Sequence, residues 1–201
     1  PRHSYYAFTN ASIVKDAATT LTNATLVIKD GKIVAVGNNL KVPTGAIEVD
    51  CKGKFIYPSF IDIYADYGTA APQRTSGGFT PGQQPQLATF AMGPYGWNQA
   101  IKSDAEAYKV FVVDDSKAKP LRDAGFGTVL SHVRDGIARG TGAVVTLANQ
   151  KENLVIIKER ASAHYSFQKG SSTQSYPSSM MGSIALLRQT YLDAQWYKTK
   201  P

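Results

Sequence analysis

The sequence predicts an α/β chain fronted by β structure, and three observations predict it. Residues 5 to 57 alternate apolar and polar side chains in short runs broken by turn residues, the period-two pattern of half-buried strands. From Pro58 the pattern changes to a continuous apolar run, "SFIDIYA", of the kind found in strands buried on both faces of a parallel sheet. Beyond it, helix-like and strand-like stretches follow one another up to the best helix in the chain, "SSMMGSIALLRQTYLDAQWYKTK".

The first strands are "YYAFTNASIV", "ATLVIKDGKIVAVG" and "AIEVDCKGKFIY". Asp30-Gly31 lies between two alternating stretches and is the strongest short-range hairpin signal in the chain. "KVPTGA" breaks the chain before the third stretch and "CKGK" marks a further turn, so a small, mostly antiparallel sheet is expected. After "SFIDIYA" comes a Gly/Pro-rich insertion at about residues 69–97, too long for an ordinary connection; Phe79, Phe90, Tyr95 and Trp97 within it argue that part of it packs down. "SKAKPLRDAG" reads as a short helix with Ser116 as cap and Gly125 as stop, and "FGTVLSHV" as the strand that follows. "GAVVTLAN" and "ENLVIIKERA" read as strands around a polar turn. In the last helix Met180, Ile184, Leu187 and Tyr191 form an apolar stripe expected to pack into the core, with Ser178 or Ser179 capping its start.

With 201 residues, 43% hydrophobic and 18% charged, the chain suits one large or two modest globular domains. Its net charge of +7 is scattered and forms no basic run, which argues against a nucleic-acid partner. No apolar run approaches the length of a membrane span. Cys51, the single cysteine, has no partner for an internal disulfide and no nearby base, and reads as a small buried residue at a strand end.

Three elements carry a family resemblance: the hairpin of residues 28–37, the D-x-x-G-K element from Asp50 to Lys54, and the stretch from Pro58 to Asp66. In order, spacing and residue type they resemble the amino-terminal part of the amidohydrolase superfamily, especially the branch of imidazolonepropionase and dihydroorotase relatives. Later segments resemble long, exported, amidohydrolase-like proteins of Bacteroidetes-type bacteria. The resemblance implies a small N-terminal β-sandwich over residues 1–57, leading into an incomplete (β/α)8 barrel of metallo-hydrolase type over residues 58–201. Eight β/α units take about 250 residues, so this length holds only the first part of one.

At the chemistry the chain departs from that pattern. The family's first barrel strand reads P-G-F-I-D-x-H-x-H, and its two histidines bind a divalent metal. Here Tyr64 and Asp66 stand at those positions and Ser59 replaces the glycine. A phenol must ionise to ligate, so Asp66 is the one candidate ligand, and a weak one. On a strand, Asp62, Tyr64 and Asp66 would share a face. His3 precedes the first strand, His164 lies in a polar segment, and His132 ends "GTVLSH"; a lone histidine there is more often a hydrogen-bonded loop residue than a ligand.

The implied function is the N-terminal part of an amidohydrolase-family protein acting on C–N bonds other than peptide bonds, with this segment mainly scaffold and inactive alone. The alternative is a non-catalytic pseudoenzyme or accessory subunit that binds a partner chain. No cofactor is expected in this segment, and a divalent metal such as zinc in the complete protein. The expected partner is the remainder of its own polypeptide or a second chain completing the barrel. The expected location is periplasmic or otherwise exported, with a cytoplasmic one as alternative. Sugar binding through Trp97 and nearby tyrosines rests on composition alone.

Overall fold

The computed structural model describes residues 4–72 and 98–200. The chain divides into two compact units, Pro1–Ser59 and Phe60–Pro201.

In the first unit, β1 (Tyr5–Val14), β2 (Thr20–Lys29) and β3 (Lys32–Asn38) form an antiparallel meander. Asp30 and Gly31 both have positive φ, 51° and 73°, the pair of left-handed residues that a tight two-residue hairpin needs. β4 (Ile47–Asp50) and β5 (Phe55–Ile56) both pair in parallel with β1, on the edge that β2 leaves free. Asn10, at φ 58°, sits in the register shift of β1 that separates these two partners, and its side-chain amide donates to Asp50 at 2.9 Å. The result is one five-stranded mixed sheet where a mostly antiparallel sandwich of two sheets is expected, because β1 accepts both late strands at the same edge. Cys51 is buried with Ala11, Ile13, Ala24 and Leu26 in the core of this unit.

The second unit is a four-stranded sheet in the order β6-β7-β8-β9. β6 (Phe60–Ala65) runs parallel to β7 (Phe126–Ser131), and the chain between them includes α1 (Ala107–Val110) and α2 (Asp115–Asp123). The sheet then turns antiparallel: β8 (Ala138–Thr146) pairs with β7, and β9 (Ile156–Tyr165) pairs with β8 after the single turn α3 (Glu152–Val155). Val129, Ala143, Val145 and Leu147 from the inner strands meet Ala107, Phe111 and Ala118 of the helical connection in the main core. The chain ends in α4 (Met180–Thr199).

Three local expectations are corrected. β6 is not buried on both faces: Phe60, Ile61 and Ile63 are 64%, 64% and 74% exposed, and among the described residues the strand lies at the edge of its sheet, paired with β7. The cap of α2 is Asp114, whose carboxylate accepts from the backbone N–H of Ser116 at 3.0 Å and of Lys117 at 3.4 Å; Ser116 lies inside the helix and donates its hydroxyl to the same carboxylate. In α4, capped by Ser179, the buried positions are Ser183 and Leu186, while Met180, Ile184 and Tyr191 of the expected stripe are exposed. Apolar residues lie on several faces of this helix, so spacing alone selects the wrong one. Phe79, Phe90, Tyr95, Trp97 and His3 lie outside the described residues.

The cap assignment is testable by denaturant titration. Asp114→Ala is expected to lose about 1 kcal/mol of stability, and Ser116→Ala clearly less. Equal losses would return the cap to Ser116.

Candidate functional site

The carboxyl end of β6 and the chain after β7 meet because the backbone N–H of His132 donates to the Ala65 carbonyl at 3.0 Å. That bond sets the residues after β6 beside the β7–β8 connection. At the end of the strand and just past it, Ala65 and Tyr67 point into the core at 5% exposure each, whereas Tyr64 is 51% exposed and Asp66 is open. Asp62 turns its carboxylate back on its own strand, accepting from the Tyr64 N–H at 2.9 Å.

Two arginines hold Tyr64. Arg139 Nη1 donates to the phenolic oxygen at 2.9 Å, and its Nε donates to the Gly136 carbonyl at 3.1 Å. Arg134 lies over the Tyr64 ring, 4.8 Å from its centroid, donates Nη2 to the Tyr64 carbonyl at 2.8 Å, and approaches the Asp66 carboxylate at 3.5 Å.

Behind Tyr64 sits a histidine pair. His132 has no exposed surface, and its ring is 4.8 Å from that of Tyr64. On its other side it stacks on His164 of β9, with centroids 3.8 Å apart and planes 4° from parallel. Neither ring nitrogen of His132 has a hydrogen-bond partner among the described residues, so it is not the hydrogen-bonded loop residue expected. His164 Nε2 contacts the Ser162 hydroxyl at 2.7 Å.

Strand register explains the pairing. One residue beyond the Ser131–Ala143 pair, His132 comes level with Gly142, which pairs with Ser162 on β9. Glycine leaves the room in which the rings meet: a Cβ there would lie 2.6 Å from His164 Nε2 and 2.9 Å from Ser162 Oγ. Burial, then the charges of His164, Arg139 and Arg134, push the His132 imidazole down to about 4. Burial, then Arg139, also lowers His164.

The residue set does not suit a divalent metal. Tyr64 and Asp66 face the guanidinium groups of Arg139 and Arg134, which would repel a metal cation. No group of three or more His, Cys, Asp or Glu side chains converges among the described residues. A separate cluster lies beside a cleft lined by Asn98, Lys102 and Ser171. There the Asp135 carboxylate accepts from Lys102 and, at 2.7 Å each, from the N–H and hydroxyl of Ser171. Burial raises this carboxyl, but those bonds outweigh it and hold it below its ordinary range. Its acceptors are filled, and it serves as a staple.

No protein-family model matches the chain, and no curated protein matches it. Among solved structures, an amidohydrolase from Thermotoga maritima superposes with a TM-score of 0.69 at 21% identity, over 96% of this chain and 48% of that one. The chain shares its fold with that amidohydrolase. The chain thus spans about half the length of that amidohydrolase. A D-hydantoinase from Thermus sp. matches at TM-score 0.29 and 18% identity, over 64% of this chain and 27% of that one. A second D-hydantoinase matches at TM-score 0.28 and 37% identity, over 32% of this chain and 14% of that one.

Of the residues singled out in the sequence, Tyr64, Asp66 and His132 come together and Asp62 does not join them. Arg134 and Arg139 were missed, and His164, weighed only as a residue of a polar segment, turns out to stack on His132. Gly142 was the one sequence signal for the histidine pair, a glycine inside a strand pattern that marks a close approach.

Two measurements check this geometry. Because the folded-state pKa of His132 lies below its ordinary value of about 6.5, the unfolded chain takes up a proton first. Stability is therefore full above pH 6.5 and falls as the pH drops to about 4, by up to roughly 3 kcal/mol. In melts across that range His132→Phe should flatten the slope, leaving the smaller part due to His164, with Tyr64, Arg134 and Arg139 as the other facing groups. Gly142→Ala should displace the His164 ring, seen as a shifted imidazole signal by NMR, and cost roughly 1–3 kcal/mol.

Proposed function

We propose that the chain is the front portion of an amidohydrolase-family protein whose complete form hydrolyses C–N bonds other than peptide bonds, and that this segment contributes scaffold and not metal chemistry. The observation that carries the second half is the Arg139–Tyr64 hydrogen bond, with Arg134 facing Asp66: guanidinium groups stand where the family's strand presents imidazoles to a metal. Supporting the first half are the sequence elements of residues 28–66 and the likeness to the Thermotoga amidohydrolase, of which this chain covers 48%.

In this reading residues 1–57 correspond to the family's β-sandwich and residues 58–201 to the first part of a (β/α)8 barrel. The parallel step from β6 to β7 through α1 and α2 favours it; the antiparallel β8 and β9 are this chain's departures. Metal ligands and the acid/base carboxylate would then come from outside the 201 residues. A non-catalytic binding role is the second reading, favoured by the same arginines, since they are the residues that stand against the metal.

Native protein from the source cells should have an intact mass well above that of the 201-residue chain, and the chain alone should bind less than about 0.1 zinc per molecule after equilibration and desalting. Stoichiometric zinc on the chain alone would sink the scaffold reading. A zinc-free, inactive native protein would leave the binding role in its place.

A further inference from the structure

Arg139 is a buried cation, 6% exposed, whose hydrogen bonds among the described residues go to two neutral acceptors, the Gly136 carbonyl and the Tyr64 phenol. The ion pairs among the described residues engage Arg122, Arg134 and Arg160 but not Arg139. Residues 73–97 contain neither Asp nor Glu and cannot provide the missing carboxylate. A guanidinium does not escape burial by losing its proton, so a buried one without a counter-charge is costly unless an anion meets it.

Its neighbours show the same deficit. Among the described residues, the fully buried His132 has both ring nitrogens unpartnered, and the buried Arg134 Nε has no acceptor. The carboxylate that pairs with Arg134 among the described residues, Asp66, is 59% exposed and 3.5 Å away, a geometry that neutralises one charge incompletely. Two fixed cations against one solvated carboxylate leave about one positive charge over, with the Arg134 Nε–H lacking an acceptor among the described residues. The half-exposed Tyr64 and the partly exposed Arg134 side chain connect the cluster to solvent.

We propose that Arg134, Arg139, His132 and Tyr64 form a binding site for a small monovalent carboxylate at the carboxyl end of β6. The surplus of one charge matches one carboxylate, and a guanidinium offers it two parallel N–H donors. This rests on the metal-free reading of the same strand end and adds a ligand to it.

The test is a titration of the 201-residue chain at pH 7 with sodium acetate against sodium chloride at matched ionic strength, followed by melting temperature and by the imidazole NMR signals of His132 and His164. Acetate should raise the melting temperature saturably and move both signals, while chloride should do neither. Arg139→Gln should weaken acetate binding at least tenfold, with Arg139→Lys losing less. Should Arg139→Gln not fold, Arg134→Gln takes its place and should also weaken binding severalfold. Equal responses to acetate and chloride, or acetate binding unchanged in a folded arginine variant, would overturn the proposal. A response to inorganic phosphate without one to acetate would overturn the carboxylate assignment. Zinc content, measured on the same samples, separates the two ideas: stoichiometric zinc defeats the scaffold reading, whereas a zinc-free chain indifferent to acetate defeats only the carboxylate site.

Discussion

The Arg139 guanidinium is the constraint on which the site depends. β6 is an edge strand with two breaks in its register against β7, and it buries little on either face, so pairing alone holds its carboxyl end weakly. Arg139, near the start of β8, reaches Tyr64 on that end, and Arg134 takes the Tyr64 carbonyl from the loop between β7 and β8. The two bonds span the sheet from its edge to its third strand. They replace packing with directed polar contacts, which fix geometry better than apolar contacts of similar strength.

That substitution has a local backbone cost, visible at the start of β8. Gly136 and Gly140 have φ of 84° and 77°, and a Cβ on Gly140 would lie 1.9 Å from the Ala105 carbonyl oxygen. Only glycine allows the strand to run so close to the 98–106 segment while Arg139, between the two glycines, turns back to bond the Gly136 carbonyl. The sharp bends and the arginine form one device: the bends aim the side chain, and its hydrogen bonds hold the bends.

Much of the fold was legible because it is local. Asp30-Gly31 specifies its turn through two residues that tolerate positive φ, and the helix from Asp115 announces itself through the glycine at 125, although its cap is Asp114 and not the expected Ser116. Burial was less legible. The run "SFIDIYA" has the composition of a doubly covered strand, and nothing within six residues says that it lies at an edge. The histidine pair was illegible for a related reason: residues 132 and 164 meet only through the register of β7 on β8 and β8 on β9, which no window along the chain contains. Arginines at 134 and 139 look like ordinary surface cations until the sheet buries one of them.

With Tyr64 and Asp66 facing two arginines, the end of β6 carries guanidinium charge, which differs in kind from the charge of a metal site. A metal site is positive only when loaded, and its imidazole ligands lose the ion as they protonate. Guanidinium charge is permanent across the biological pH range and cannot be released. Burial first, and then fixed charge of this kind, keeps His132 neutral. The same fixed charge must be balanced at every pH, either by solvent reaching Arg134 and Tyr64 or by an anion held against them. Because Arg139 itself is almost out of water, solvent balances it poorly, and an anion of matching valence is the arrangement with the lower electrostatic cost.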